Sequence, residues 1–205
     1  MKVEKLIQSK NVPGRWYAEL ENGESVRVGT AQVADFSLYA GRELSDDELA
    51  SLRASASETN AKARALRILG SRMMSRREIA DRLREKGETE EDTENAVEFL
   101  GRIGALDDAE YAAAIVRQYS SRGYGPGRIR GELSRRGVPR ELWDGALAQM
   151  PESGETLDGL VRARLRPGAD KKEVKKLTDM LLRRGYGWEE IKEALERNRA
   201  AEGGD

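Results

Sequence analysis

Five residues of the chain return twice more at one spacing. Ile79, Leu83, Gly87, Ala96 and Val97 are matched by Ile129, Leu133, Gly137, Ala146 and Leu147, then by Leu177, Leu181, Gly185, Ala194 and Leu195. Aliphatic residues four apart share one helix face, and a glycine four positions further on stops the helix. A basic residue precedes each glycine (Lys86, Arg136, Arg184), where a cation meets the negative end of the helix dipole and the glycine suits a left-handed C′ cap. A second helix then carries a small residue and an aliphatic one inward. Upstream of each pair lies another amphipathic run, Ala61 to Leu69, Tyr111 to Tyr119 and Leu157 to Leu165. Three helices per unit, repeated three times, predict an α-helical array.

The part before the repeats reads differently. Val3, Leu6 and Ile7 precede the turn cluster Asn11-Val12-Pro13-Gly14, Trp16, Tyr17 and Leu20 lead into Asn22-Gly23, and Val26 and Val28 alternate after it. This predicts a three-stranded meander with a two-residue type I′ turn at Asn22-Gly23. Helix starts are marked by Ser45-Asp46-Asp47-Glu48, Ser75-Arg76-Arg77-Glu78, Asp107-Asp108-Ala109-Glu110 and Asp170-Lys171-Lys172-Glu173, all of the capping-box type, and Pro139 suits a first helical position. The fold class is therefore mainly α: an elongated array of three three-helix repeats behind a small N-terminal β-meander and helix. We divide it into an N-terminal segment 1–58 and repeats at 59–106, 107–151 and 152–205.

Composition limits the chemistry. The 205 residues hold no Cys and no His, which removes thiolate nucleophiles, imidazole bases, zinc fingers and disulfides. No Asp/Glu pair sits in an apolar setting that would raise one carboxyl, and no metal-loop spacing occurs, so we expect no enzyme, no cofactor and no metal. Neither a membrane span nor a secretory signal is visible, and a cytoplasmic protein is expected.

Charge carries the remaining information. Lys and Arg number 36 against 37 Asp and Glu, yet each repeat is basic early and acidic late. Residues 62–86, 117–140 and 162–184 each carry a net charge of +6, and acidic stretches follow all three. The basic groups are Arg72, Arg76 and Arg77 in the first repeat, Arg117, Arg122, Arg128, Arg130, Arg135 and Arg136 in the second, and Lys172, Lys175, Lys176, Arg183 and Arg184 in the third. A solvated helix face accounts for any one cluster, whereas recurrence points to contact with carboxylate or phosphate. Arg122-Gly123-Tyr124-Gly125-Pro126-Gly127-Arg128 reads as a tight interhelix turn or an anion contact, and it is not a Walker A loop. Trp143 and Trp188 are expected in the core. A helix-turn-helix DNA reader is a rival interpretation, although such modules usually carry a net positive charge and this chain's is -1.

These residues resemble the RecX family of bacterial recombination regulators. The resemblance rests on Gly123-Tyr124-Gly125-Pro126-Gly127-Arg128-Ile129 through Arg135-Arg136-Gly137-Val138, on Ser75-Arg76-Arg77-Glu78-Ile79 to Gly87, on Asp108-Ala109-Glu110-Tyr111-Ala112, and on Leu181-Leu182-Arg183-Arg184-Gly185-Tyr186-Gly187-Trp188. It implies a non-enzymatic modulator of the RecA recombinase that lodges in the groove of the RecA–DNA filament and restrains ATP hydrolysis, strand exchange and co-protease activity. On that implication the basic halves carry the contact, above all Arg122, Tyr124, Arg128, Arg135 and Arg136 with Lys172, Lys175, Lys176, Arg183 and Arg184. A monomer is expected, with RecA as partner and weak direct contact with DNA left open.

Overall fold

The computed structural model describes residues 1–151, 153–166 and 168–202. It divides into two compact units, residues 1–73 with 79–106, and residues 74–78 with those from 107 onward.

The first unit opens with an antiparallel meander, β1 (Val3–Gln8), β2 (Arg15–Leu20) and β3 (Ser25–Gly29), in that order. Alternation turns Ala18, Leu20, Val26 and Val28 into a core with Leu49, Leu52 and Ala56. The β2–β3 turn differs from the sequence expectation. Gly23 is left-handed (φ +82°) and Asn22 is not, while the Leu20 carbonyl accepts from Gly23 N at 2.9 Å and Leu20 N donates to the Glu24 carbonyl at 2.8 Å. This is a three-residue loop in which the glycine closes a bulge, the other economical way to match strand twist. Asn22 contributes through its side chain, which accepts from Glu24 N.

Helix α1 (Thr30–Asp35) presents the buried Gln32, whose amide donates to the hydroxyls of Ser55 and Thr59 at 3.1 and 2.7 Å. Those two belong to α2 (Asp46–Leu69), a 24-residue helix opened by the predicted Ser45/Glu48 capping box. It runs unbroken through the division drawn at 58/59. Its first half covers the sheet, and its second half buries Ala61 and Ala65. Helices α3 (Arg76–Glu85) and α4 (Glu90–Arg102) complete the first repeat, with Ile79, Leu83, Ala96 and Leu100 fully buried. Ile79, Leu83 and Leu100 each contribute about 1.5–3 kcal/mol by leaving water.

The second unit holds two repeats. One is α5 (Asp108–Ser120), α6 (Pro126–Arg135), a 3-10 turn Arg140–Leu142 and the short α7 (Trp143–Leu147). The other is α8 (Ser153–Arg162), α9 (Lys171–Arg183) and α10 (Trp188–Glu202). Each has its own apolar core, centred on Ile129 and Leu133 in one and on Leu177, Leu181 and Ile191 in the other. The repeated positions behave alike: Ala96, Ala146 and Ala194 are buried, whereas Val97, Leu147 and Leu195 are half-buried. Gly87, Gly137 and Gly185 all take positive φ, at +82°, +67° and +90°. Two expectations need correction. Pro139 precedes the 3-10 turn instead of occupying its first position. Trp188 is 58% exposed and not core, because it stands in the first turn of α10, ahead of the buried Ile191.

Candidate partner-binding surface

The second unit is built around two joints that use the same parts. In each, a basic-Gly turn at the end of one repeat's middle helix rests on the start of the previous repeat's middle helix. At the first, the Ser75 hydroxyl donates to the Arg136 carbonyl at 2.6 Å, and Gly137 lies against the aliphatic stem of Arg77. At the second, the amides of Gly125 and Gly127 donate to the carbonyls of Arg184 and Gly185 at 2.8 and 2.9 Å. A side chain on Gly185 would meet the backbone nitrogen of Arg128, so glycine is required there by contact as well as by φ.

The joints draw in several cations that the sequence offers to a partner. Arg136 donates through Nε to Glu132 Oε1 at 2.5 Å and through Nη1 to the Tyr111 hydroxyl at 2.6 Å. That hydroxyl donates in turn to Glu78 Oε2 at 2.8 Å, and Glu78 closes the capping box with Ser75. Arg135 forks onto both oxygens of the buried Glu132. Hydrogen bonds from Arg135 overcome the cost of burial, with help from Arg136, and hold the Glu132 carboxyl down at about 2. Burial opposes the charge of Arg136, but its bonds to Glu132 and Tyr111 win and its pKa is raised. Arg184 donates to the carbonyls of Arg122 and Gly123 at 3.2 and 3.1 Å and covers the Tyr124 ring, 5.7 Å from its centroid. Arg136 and Arg184 are therefore joint residues; Arg136 lies over the Tyr111 ring, and Tyr124, half-buried against Tyr119, packs under Arg184.

The exposed cations form a smaller set. In α9, Lys172, Lys176 and Arg183 fall on one line, at i, i+4 and i+11, directly opposite the buried Leu177, Thr178 and Leu181. Asp179 interrupts that line at i+7, and Lys175 flanks it. In α6, Arg128 and Arg135 occupy the equivalent register to Lys176 and Arg183, while Arg130 lies across the exposed arc from them. Arg122 is exposed in the turn before α6, and Arg117 on α5 forms an ion pair with Glu110 at 2.7 Å. In α3 the matching positions are Glu78 and Glu85, so at these two positions the cations recur only between the second and third repeats. Arg72 donates to the Met73 carbonyl, the amide of Arg76 donates to the Asp108 carboxylate at 2.9 Å, and Arg77 packs on Gly137. Burial pushes the Asp108 carboxyl up, against the pull of Arg76.

Sequence reasoning missed Arg164. It joins Lys176, Arg184, Leu177, Met180 and Glu173 around a depression of about 580 Å³, one side of the α9 surface. The alternation Arg162-Ala-Arg164-Leu-Arg166 was the available signal. Among the described residues no group of His, Cys, Asp or Glu is arranged to hold a metal, and no helix is long and apolar enough to cross a membrane.

Comparison with known proteins follows the repeats. Family models described as the first, second and third three-helix domains of RecX match residues 61–100, 107–147 and 160–195. Proteins named "Regulatory protein RecX" are similar to this chain in several bacteria. That of Vibrio vulnificus (strain CMCP6) is 34% identical over 134 residues, spanning 64% of this chain and 88% of its own. That of Xanthomonas campestris pv. campestris (strain B100) is 36% identical over 133 residues, 63% of this chain and 82% of its own. A solved structure described as "Crystal structure of regulatory protein RecX" superposes with a TM-score of 0.70 at 26% identity, covering 94% of this chain and 98% of that one. RecX from Lactobacillus salivarius, with a TM-score of 0.66 at 20% identity, covers 71% of this chain and 99% of its own and supports the fold alone.

Proposed function

Because the chain belongs to the RecX family of regulatory proteins, we propose that it regulates the RecA recombinase, binding the protein and its DNA filament within the filament's helical groove. In this reading it acts without chemistry of its own, in the cytoplasm and as a monomer. Bound, it lowers the ATPase, strand-exchange and co-protease activities of RecA. The observation that supports this most is the α9 line of Lys172, Lys176 and Arg183, held away from the core and repeated in register by Arg128 and Arg135 of α6. Cations at a fixed helical spacing on successive repeats suit a partner whose acidic groups also recur. We assign the contact to the exposed line ahead of Arg136 and Arg184, whose guanidinium groups already bond Glu132 and Tyr111 and the carbonyls of Arg122 and Gly123.

The test is charge reversal on the exposed line. Lys176→Glu with Arg183→Glu is expected to weaken inhibition of RecA's DNA-dependent ATPase severalfold while the helical circular dichroism stays unchanged. Full inhibition by a folded double variant refutes the α9 assignment. Absence of any inhibition by the unaltered protein refutes the RecA reading itself.

A further inference from the structure

The meander, which the repeats do not need for their own cores, carries a second cationic cluster. The strand register sets Ile7 opposite Tyr17 and Tyr17 opposite Arg27, one row across the face that points away from the core. Arg27 donates through Nε to Asn60 Oδ1 at 2.6 Å, and Asn60 Nδ2 donates back to the Arg27 carbonyl at 3.0 Å, which pins this face to α2. Asn60, Arg64 and Arg67 then follow one another at i, i+4 and i+7 along α2. Arg64, Arg67 and Ile68 line, with Lys86 from the end of α3, a depression of about 460 Å³.

Five cations thus meet: Arg15, Arg27, Arg64, Arg67 and Lys86. Burial and then the repulsion of Arg15, Arg64 and Arg67 hold the Arg27 guanidinium below its ordinary value. Glu88 enters this cluster, and Glu19, ion-paired with Lys5 at 3.6 Å, stands two residues from Tyr17 on the same sheet face. Glu88 Oε1 lies 3.0 Å from Arg64 Nε as an ion pair without a well-aligned hydrogen bond. Like charges left this close destabilise a fold, and an anionic occupant relieves them.

We propose that the outer face of the sheet and the Asn60–Arg64–Arg67 stripe bind single-stranded DNA, with the cations on its phosphates and Tyr17 beneath a base. Guanidinium groups match phosphate oxygens in pairs, and an aromatic ring on an open sheet face, with an aliphatic neighbour and flanking arginines, is a stacking platform. Unpaired bases are needed to use such a platform, which sets the single strand apart from a duplex. An acidic protein surface has no use for it.

The full-length chain, titrated against a labelled oligodeoxythymidine at several salt concentrations without RecA, is expected to bind with a clear log–log salt slope. Arg15→Gln with Arg67→Gln should reduce that slope by about 1.4, at about 0.7 per phosphate contact on a single strand. Tyr17→Leu should weaken binding roughly fivefold or more with the slope unchanged. Lys86→Gln, at an exposed helix end, repeats the charge test should the double variant melt early. Equal binding by all variants, no binding by the unaltered chain, equal affinity for the duplex, or displacement by polyglutamate at matched charge would each overturn the site. The variants are expected to keep RecA inhibition, so this proposal and the α9 reading fail separately.

Discussion

At the scale of single residues, one backbone conformation has three different surroundings. Nothing lies within 4 Å of a side chain added at Gly87, Gly137 would meet the stem of Arg77, and Gly185 would meet the backbone of Arg128. Alanine at each should therefore destabilise in that order. Gly87→Ala should cost about 1 kcal/mol, the left-handed penalty alone. Gly137→Ala should cost somewhat more, since a flexible arginine gives way, and Gly185→Ala more than about 3 kcal/mol. Urea titration of the three variants checks the ranking. Glu132 makes a second residue-scale prediction. Its folded value of about 2 lies below the ~4.3 of an unfolded glutamate. The stabilisation is therefore present in full above that unfolded value and is lost as pH falls through the window towards 2. Glu132→Gln should cost on the order of 2 kcal/mol at neutral pH, discounted for solvent around Arg135. The cost should vanish near the acid end of a pH series of thermal melts. Neither Glu132 nor Arg136 could be assigned from the sequence, because packing brings Tyr111 to Arg136 from a sequence separation of 25.

At the scale of elements, the repeated aliphatic pairs were legible because a helix spaces them mechanically, and so were the caps. Asp170 accepts from the amides of Lys172 and Glu173 at 2.8 Å and completes its box. Asp170→Ala should cost about 1 kcal/mol. Leu181→Ala should cost about 2–5 kcal/mol, whereas its exposed neighbour Leu182→Ala should stay within about 0.5 kcal/mol. Guanidinium denaturation of the three variants separates cap, core and surface on one helix. Less legible was α7, where Pro139 and Gly145 leave a 3-10 turn and five helical residues instead of a full second helix. The cluster on the sheet was invisible for another reason. Strand alternation shows which residues share a face, but only the path of α2 shows that Arg64 and Arg67 come alongside Arg27.

At the scale of the whole molecule, the sheet with the first half of α2 and each of the last two repeats has an apolar core of its own among the described residues, so the protein need not open all at once. Leu181→Ala should speed hydrogen exchange throughout α9 and α10. It should also free the amides of Gly125 and Gly127, which donate to the Arg184 and Gly185 carbonyls, and leave the α2 and α4 amides as slow as before. Uniform acceleration across the chain would instead mean a single cooperative block.

The final repeat departs from its predecessors in one respect that bears on how such chains grow. Counted in the repeat's own register, α9 starts three residues before α3 and α6 do, and Asp170 seals that added turn. The ledge on which a further basic-Gly turn would sit is already wound into helix. A basic-Gly turn could dock there as Gly137 and Gly185 dock on their predecessors only if that added turn of α9 first unwound.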